Sequence, residues 1–179
     1  MPTPTVPRTG TERAAAWSGA ITVAAVDDVQ RLVAIEAVRQ AKAKYFRGVD
    51  TGDAELVRGI LAEDCELDYR GCVTDPRSGV DLLPQMNRVL RGSASWQAAP
   101  AHVVSVHHGH QSEVEITGDA TATAVFAMSD RLHFPPGAPY SQISGSGYYH
   151  ETYVLEAGTW KIATLRIARL RVEGSSLPA

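Results

Sequence analysis

Three histidines fall within four positions in the stretch SVHHGHQSEVEI, residues 105–116, and they are half of the six in a chain of 179 residues. Imidazoles this close together suit one of two chemistries: a zinc site, or a proton-transfer centre working near neutral pH. Side chains alternate along a strand, so His108 and His110 share one face and His107 takes the other. The three cannot converge on one ion without a bend, and no carboxylate stands nearby at a metal-ligand spacing. The pattern predicts no metal site. His107 has the parity of Val103 and Ser105, which turns it inward, whereas His108 and His110 frame a bend or the surface. An inward histidine is either a hydrogen-bonded core residue or a general base.

A base needs an orienting partner. Tyr45 lies on the apolar stripe of a predicted first helix and Asp50 closes that helix. An imidazole held by a carboxylate, with a phenol nearby, is a general-base arrangement. The long alternating run ATATAVFAMSDRLHF places Asp130 in the same row as Phe126 and Met128. A carboxylate in an apolar row is disfavoured unless a cation or donors hold it ionised. The last predicted strand repeats the feature with opposite charge, because Leu165, Ile167 and Arg169 share a face. Asp130 and Arg169 therefore read either as a structural ion pair or as charged groups lining a greasy pocket. Phe126, Met128 and the same-face pair Tyr149 and Tyr153 are candidate lining residues of that pocket. No GxSxG, P-loop or GxGxxG stands in its required context; GSGYYH precedes a strand, not a helix.

The elements that position these residues follow from periodicity and turn signals. A helix is predicted from Asp27 to about Asp50, and a short second helix over 54–62 with Asp53 as its cap. A first strand is predicted at 65–71, and a third helix at 78–92 with Pro84 near its first turn. Strand material follows over 101–116 with a break near Gly109, then a turn at 117–119 and a strand at 120–134. A loop at 135–147 leads to a hairpin of two strands, 148–156 and 160–172. Helices first and antiparallel strands later define an α+β fold with one sheet curled around a helical layer. The predicted organisation is an N-terminal extension (1–26), flexible or packed on another subunit, a domain over 27–173 and a tail over 174–179.

This length suits one well-filled domain. Net charge is −3, with no Lys/Arg-rich run, which argues against nucleic acid or an anionic membrane as the main partner. No apolar run approaches the ~20 residues of a membrane span. The start of the chain lacks the basic-then-apolar pattern of a signal peptide. Cys65 and Cys72 form no CxxC, so two reduced thiols and a cytoplasmic location are the expectation.

Five stretches together, AKYFRGVDTGD, VHHGHQSEVEI, ATATAVFAMSDRL, GYYHETY and WKIATLRIARLRV, resemble the SnoaL-like proteins in order and spacing. These belong to the nuclear transport factor 2-like superfamily, in the branch near scytalone dehydratase and bile acid 7α-dehydratase. The resemblance covers about residues 28–173. It implies a cone: three helices in the mouth of a strongly curved, mostly antiparallel sheet enclosing an apolar pocket, assembled as a homo-oligomer, trimer or dimer. In the bile acid dehydratase pattern the catalytic positions match Tyr45, Asp50, His107, Asp130 and Arg169. The chain departs from it at His108, where that enzyme has an apolar residue, and in its longer N-terminal extension. The resemblance implies a cofactor-free lyase that dehydrates a small hydrophobic cyclic hydroxy-ketone, such as a steroid or aromatic polyketide. An isomerase or polyketide cyclase, and a non-catalytic binder of small hydrophobes, are implied alternatives. The β subunit of a ring-hydroxylating dioxygenase shares the fold, but nothing in this chain points to an iron–sulfur partner.

Overall fold

On the first helix, Val38, Lys42, Tyr45 and Val49 recur at steps of four, three and four, which aligns them on one face. That face meets the sheet. The computed structural model describes residues 23–175, and this helix, α1, runs Val23–Thr51, four residues before its predicted start. Gly52 takes the left-handed conformation (φ 68°) and stops it. Asp53 then caps α2 (Ala54–Gly59), its carboxylate accepting from the Leu56 N–H at 3.0 Å. The two helices approach closely at Gly48, where a Cβ would lie 2.6 Å from Val57.

Six strands follow: β1 (Leu61–Asp68), β2 (Val89–Arg91), β3 (Val104–Gly118), β4 (Thr121–His133), β5 (Gln142–Glu156) and β6 (Thr159–Ser175). Their order is β2-β1-β6-β5-β4-β3, antiparallel throughout except for the parallel pair β1 and β6. The sheet stays open, with β2 and β3 at its edges, and α1 packs on β3 and β6. The fold is α+β with the helices first, as the order of periodicities predicts. No helix among the described residues is long and apolar enough to cross a membrane. Cys65 and Cys72 are both buried and free.

Three expectations need correction. Residues 78–92 are not a third α-helix; they hold a turn closed by a Thr74–Asp81 bridge, a single 3-10 turn at Pro84–Met86 and strand β2. Side chains take over the local backbone donors there: Ser78 Oγ accepts from Val80 N and Asp81 Oδ1 from Leu83 N. Pro84 has no N–H to offer a continuing helix. The stretch 142–147 is strand, not loop. Its glycines reflect crowding: a Cβ on Gly147 would sit 2.2 Å from the Ala168 carbonyl oxygen. Finally, the break near Gly109 is a bulge, one extra residue on β3 between Gly109 and Ser112, within a continuous strand. Most of the predicted N-terminal extension and the last four residues lie outside the described residues, although β6 carries two of the predicted tail residues.

Between α1 and the sheet, the core holds a buried ion pair. Lys42 Nζ donates to Glu151 Oε1 at 2.5 Å, with side-chain exposures of 1% and 0%. Tyr153 donates its hydroxyl to the other carboxylate oxygen at 2.6 Å. The ammonium lies 3.3 Å from the Tyr149 ring centroid and within 4.6 Å of those of Tyr45 and Phe46. Burial pushes the Lys42 amine down to about 8, against the pull of Glu151. Removing one partner of such a pair strands the other charge. Lys42→Met should therefore lower unfolding free energy by about 3–5 kcal/mol. Combining it with Glu151→Gln, which keeps an acceptor for Tyr153, should restore more than half of that loss in urea unfolding. If the double variant is no more stable than the single, the stranded carboxylate is not the cause.

Candidate active site

Asp50 sits on the last turn of α1 and faces the edge strand β3. Its carboxylate receives three donors from that strand: Ser105 Oγ at 3.0 Å, the His107 backbone N–H at 2.9 Å and His107 Nδ1 at 2.5 Å. Strand parity brings Ser105 and His107 to the same side, and the Asp50 carboxylate spans both. Burial alone would raise the Asp50 pKa, but the His107 bonds and charge and the Ser105 hydroxyl outweigh it and hold the group below its ordinary 3.8. An ionised Asp50 holds a proton of His107 on Nδ1, so Nε2 is the nitrogen left for proton transfer.

The imidazole stacks on Phe46, one turn back along α1, at 5.6 Å between centroids and 13° between planes. Gly109 makes room for this arrangement, since a Cβ there would lie 2.8 Å from the Phe46 ring. Asp50 and His107 open onto a cleft of about 550 Å³ between α1 and β3, with Lys42, Phe46 and Phe126 among its lining residues.

Asp130 is the register partner of His107 on β4. Its carboxylate accepts from Arg169 Nη2 at 2.6 Å, and both side chains are below 10% exposed. Arg169 also donates to the Cys72 carbonyl at 2.6 Å and approaches Met128 Sδ at 3.3 Å. Burial opposes the charge on Arg169, but Asp130 outweighs it and raises the guanidinium pKa further. Gly145, facing Asp130 from β5, leaves the space the pair occupies; a Cβ there would lie 2.6 Å from Arg169 Nη1 and 2.8 Å from Asp130 Oδ1.

Tyr45 is placed differently. Its hydroxyl pairs with the Tyr69 hydroxyl at 2.8 Å, and its ring meets Phe46 and Tyr149 edge-on. Burial above all, then the neighbouring Tyr69, Tyr149 and Glu151, raises its pKa well above 10 and keeps it protonated. The structure thus joins Asp50 to His107 and Asp130 to Arg169, sets the two pairs side by side through the β3–β4 register, and puts Tyr45 in the aromatic layer behind Phe46. Of the candidate lining residues, Phe126 borders the cleft, while Met128, Tyr149 and Tyr153 are buried to within 2%.

Sequence reasoning passed over Lys42, Phe46, Tyr69 and Glu151. A signal existed for two of them: Lys42 lies on the helix stripe between Val38 and Tyr45, and Glu151 has the parity of Tyr149 and Tyr153. Of the three clustered histidines, His107 pairs with Asp50 and His110 with the Ser129 hydroxyl at 3.2 Å, and both border the cleft. No group of three His, Cys, Asp or Glu among the described residues is arranged to hold a metal ion.

Comparison with known proteins agrees on the fold. Residues 30–166 match the SnoaL-like domain. The chain is similar to a candidate scytalone dehydratase from Novosphingobium aromaticivorans DSM 12444, at 17% identity and a TM-score of 0.66 over 86% of this chain and 94% of that one. It is similar to a type 2 hexachlorocyclohexane dehydrochlorinase, LinA, at 16% identity and a TM-score of 0.65 over 84% and 97%. The LinA-type3 dehydrochlorinase from Novosphingobium barchaimii LL02 aligns at 15% identity and a TM-score of 0.61 over 85% and 99%. At these identities the likeness is one of fold.

The lowered Asp50 pKa carries a pH signature. Between its folded value and the ordinary 3.8 the unfolded chain binds more protons, so this group's stabilisation is complete above 3.8 and is lost as pH falls through the folded value. Asp50→Asn should be less stable than wild type by about 1–2 kcal/mol at neutral pH. Its urea midpoint should also fall less steeply with acidification across that interval. Parallel acid profiles would assign the acid sensitivity to other carboxylates.

Proposed function

The chain belongs to the SnoaL-like domain family, within the nuclear transport factor 2-like superfamily, and from that premise we propose that it is a cofactor-independent dehydratase acting on a hydrophobic cyclic hydroxy-ketone such as a steroid or aromatic polyketide. The observation that carries this reading is the Asp50–His107 contact at 2.5 Å, open to a cleft bordered by Phe46 and Phe126. The names of the neighbouring proteins lend support, since dehydratase and dehydrochlorinase both denote eliminations.

In this mechanism His107 Nε2 removes a proton from the carbon beside the carbonyl, and the C–H electron pair moves onto the carbonyl oxygen as an enolate. Asp50 stabilises the imidazolium that forms. The enolate then collapses, the carbon–oxygen bond to the β-hydroxyl breaks, and the imidazolium returns its proton to the departing hydroxide. One water leaves and a conjugated enone remains. Tyr45, held protonated by its raised pKa, pairs its hydroxyl with that of Tyr69 behind Phe46 and does not line the cleft, so it packs behind the base and carries no proton in this mechanism. Arg169 neutralises Asp130, so that a second carboxylate beside His107 does not compete with Asp50 for the imidazole.

Incubation with a β-hydroxyketone steroid should give a product lighter by one water in mass spectrometry. His107→Ala should lower kcat by roughly 10²–10⁴-fold with little change in ligand binding. Asp50→Asn, which loses the orienting charge, should fall in the same direction. A product of unchanged mass would convert the reading to an isomerase with the same base. A wild type inert across a broad hydroxy-ketone panel, yet binding its members, would make it a carrier of small hydrophobes.

A further inference from the structure

The cleft continues well past His107. Its helical wall runs back through Arg47, Ala43 and Arg39 at one-turn steps, and its strand wall forward through Gly109, His110 and Ser112. The walls are antiparallel, so Asp50 meets His107 at one end, and at the other Arg39 donates from Nε to Ser112 Oγ at 2.9 Å. Eleven helical residues separate these clamps, about 16 Å along the helical wall, and five strand residues, one of them taken up by the bulge, span about 13 Å. Ser112 reaches this face because the bulge after Gly109 reverses the alternation of β3.

The charges in the cleft are unevenly matched. Asp50 has His107 and Lys42 has Glu151, whereas Arg39 and Arg47 meet no carboxylate among the described residues. At the solvent-exposed rim of the cleft the Ser112 hydroxyl engages Arg39 through Nε, and among the described residues neither terminal amino group has a partner, which leaves a planar fork matched to the two oxygens of a carboxylate. Ala43, between the arginines, leaves the wall open to an apolar body.

We propose that Arg39 and Ser112 form a carboxylate subsite at the far end of the cleft, so that the substrate is an elongated hydrophobic ketone carrying an anionic group about 13–16 Å from its reacting carbon. The position of the reacting carbon rests on His107 being the base; the anion subsite itself does not.

The probe is 1-pyrenebutyrate, a fused-ring hydrophobe with a carboxylate on a short chain, titrated by fluorescence at low salt against its neutral methyl ester. Wild type should bind the carboxylate about tenfold more tightly than the ester. Arg39→Gln should reduce that preference to within about twofold while leaving ester affinity within the same margin. Ser112→Ala, which unfixes the guanidinium, should retain a preference of about threefold. Equal wild-type affinities, or no binding of the carboxylate at millimolar concentration, overturn the subsite. A preference that survives Arg39→Gln and vanishes in Arg47→Gln overturns the assignment to Arg39. Failure to turn over any hydroxy-ketone, with the carboxylate preference intact, would sink the dehydratase reading and leave the subsite standing.

Discussion

The carboxylate of Asp50 is the joint on which helix and sheet meet. It lies in the last turn of α1, where the unsatisfied backbone carbonyls of a helix end disfavour a negative charge. Donors of β3 reverse that balance, and in doing so they fasten the end of the helix to the edge of the sheet. The contact that anchors the chain also sets the tautomer of His107. Stability and proton chemistry are therefore two consequences of one set of hydrogen bonds, and no separate device is needed to orient the imidazole.

Behind that joint lies a layer in which charge and aromatic surface depend on each other. Taking Lys42 and Glu151 out of water is unfavourable, and their mutual attraction offsets this only with further partners. Tyr153 supplies a donor to the carboxylate, and the rings of Tyr149, Tyr45 and Phe46 turn their electron-rich faces toward the ammonium. Phe46 belongs to both halves of the site. It stands 4.6 Å from the ammonium and stacks on His107, so the packing of the core reaches the imidazole through one ring.

The glycines mark where this packing is tightest. Gly109 admits the Phe46 ring beneath β3, and Gly145 admits the Arg169–Asp130 pair beneath β5. Both lie in long strands, where a side chain would displace the group it faces. A cluster such as ISGSG therefore looks like a loop in a linear reading and is a strand in the folded chain.

Alternation is a local property, and where it runs unbroken its consequences were legible in the sequence. It includes the inward turn of His107, the buried row that contains Asp130, and the face shared by Leu165, Ile167 and Arg169. The order of helices before strands, and hence the α+β class, was legible for the same reason. Partnership is not local. Asp50 and His107 are 57 residues apart and Lys42 and Glu151 are 109 apart, and no spacing encodes such pairs. The bulge after Gly109 reverses parity midway along β3, which is how Ser112 comes to face Arg39. Over residues 78–92 the side chains of Ser78 and Asp81 capture backbone donors, so an apolar spacing that suits a helix yields a turn and an edge strand. Backbone geometry decides which way a residue points; only the closing of the chain on itself decides what it meets.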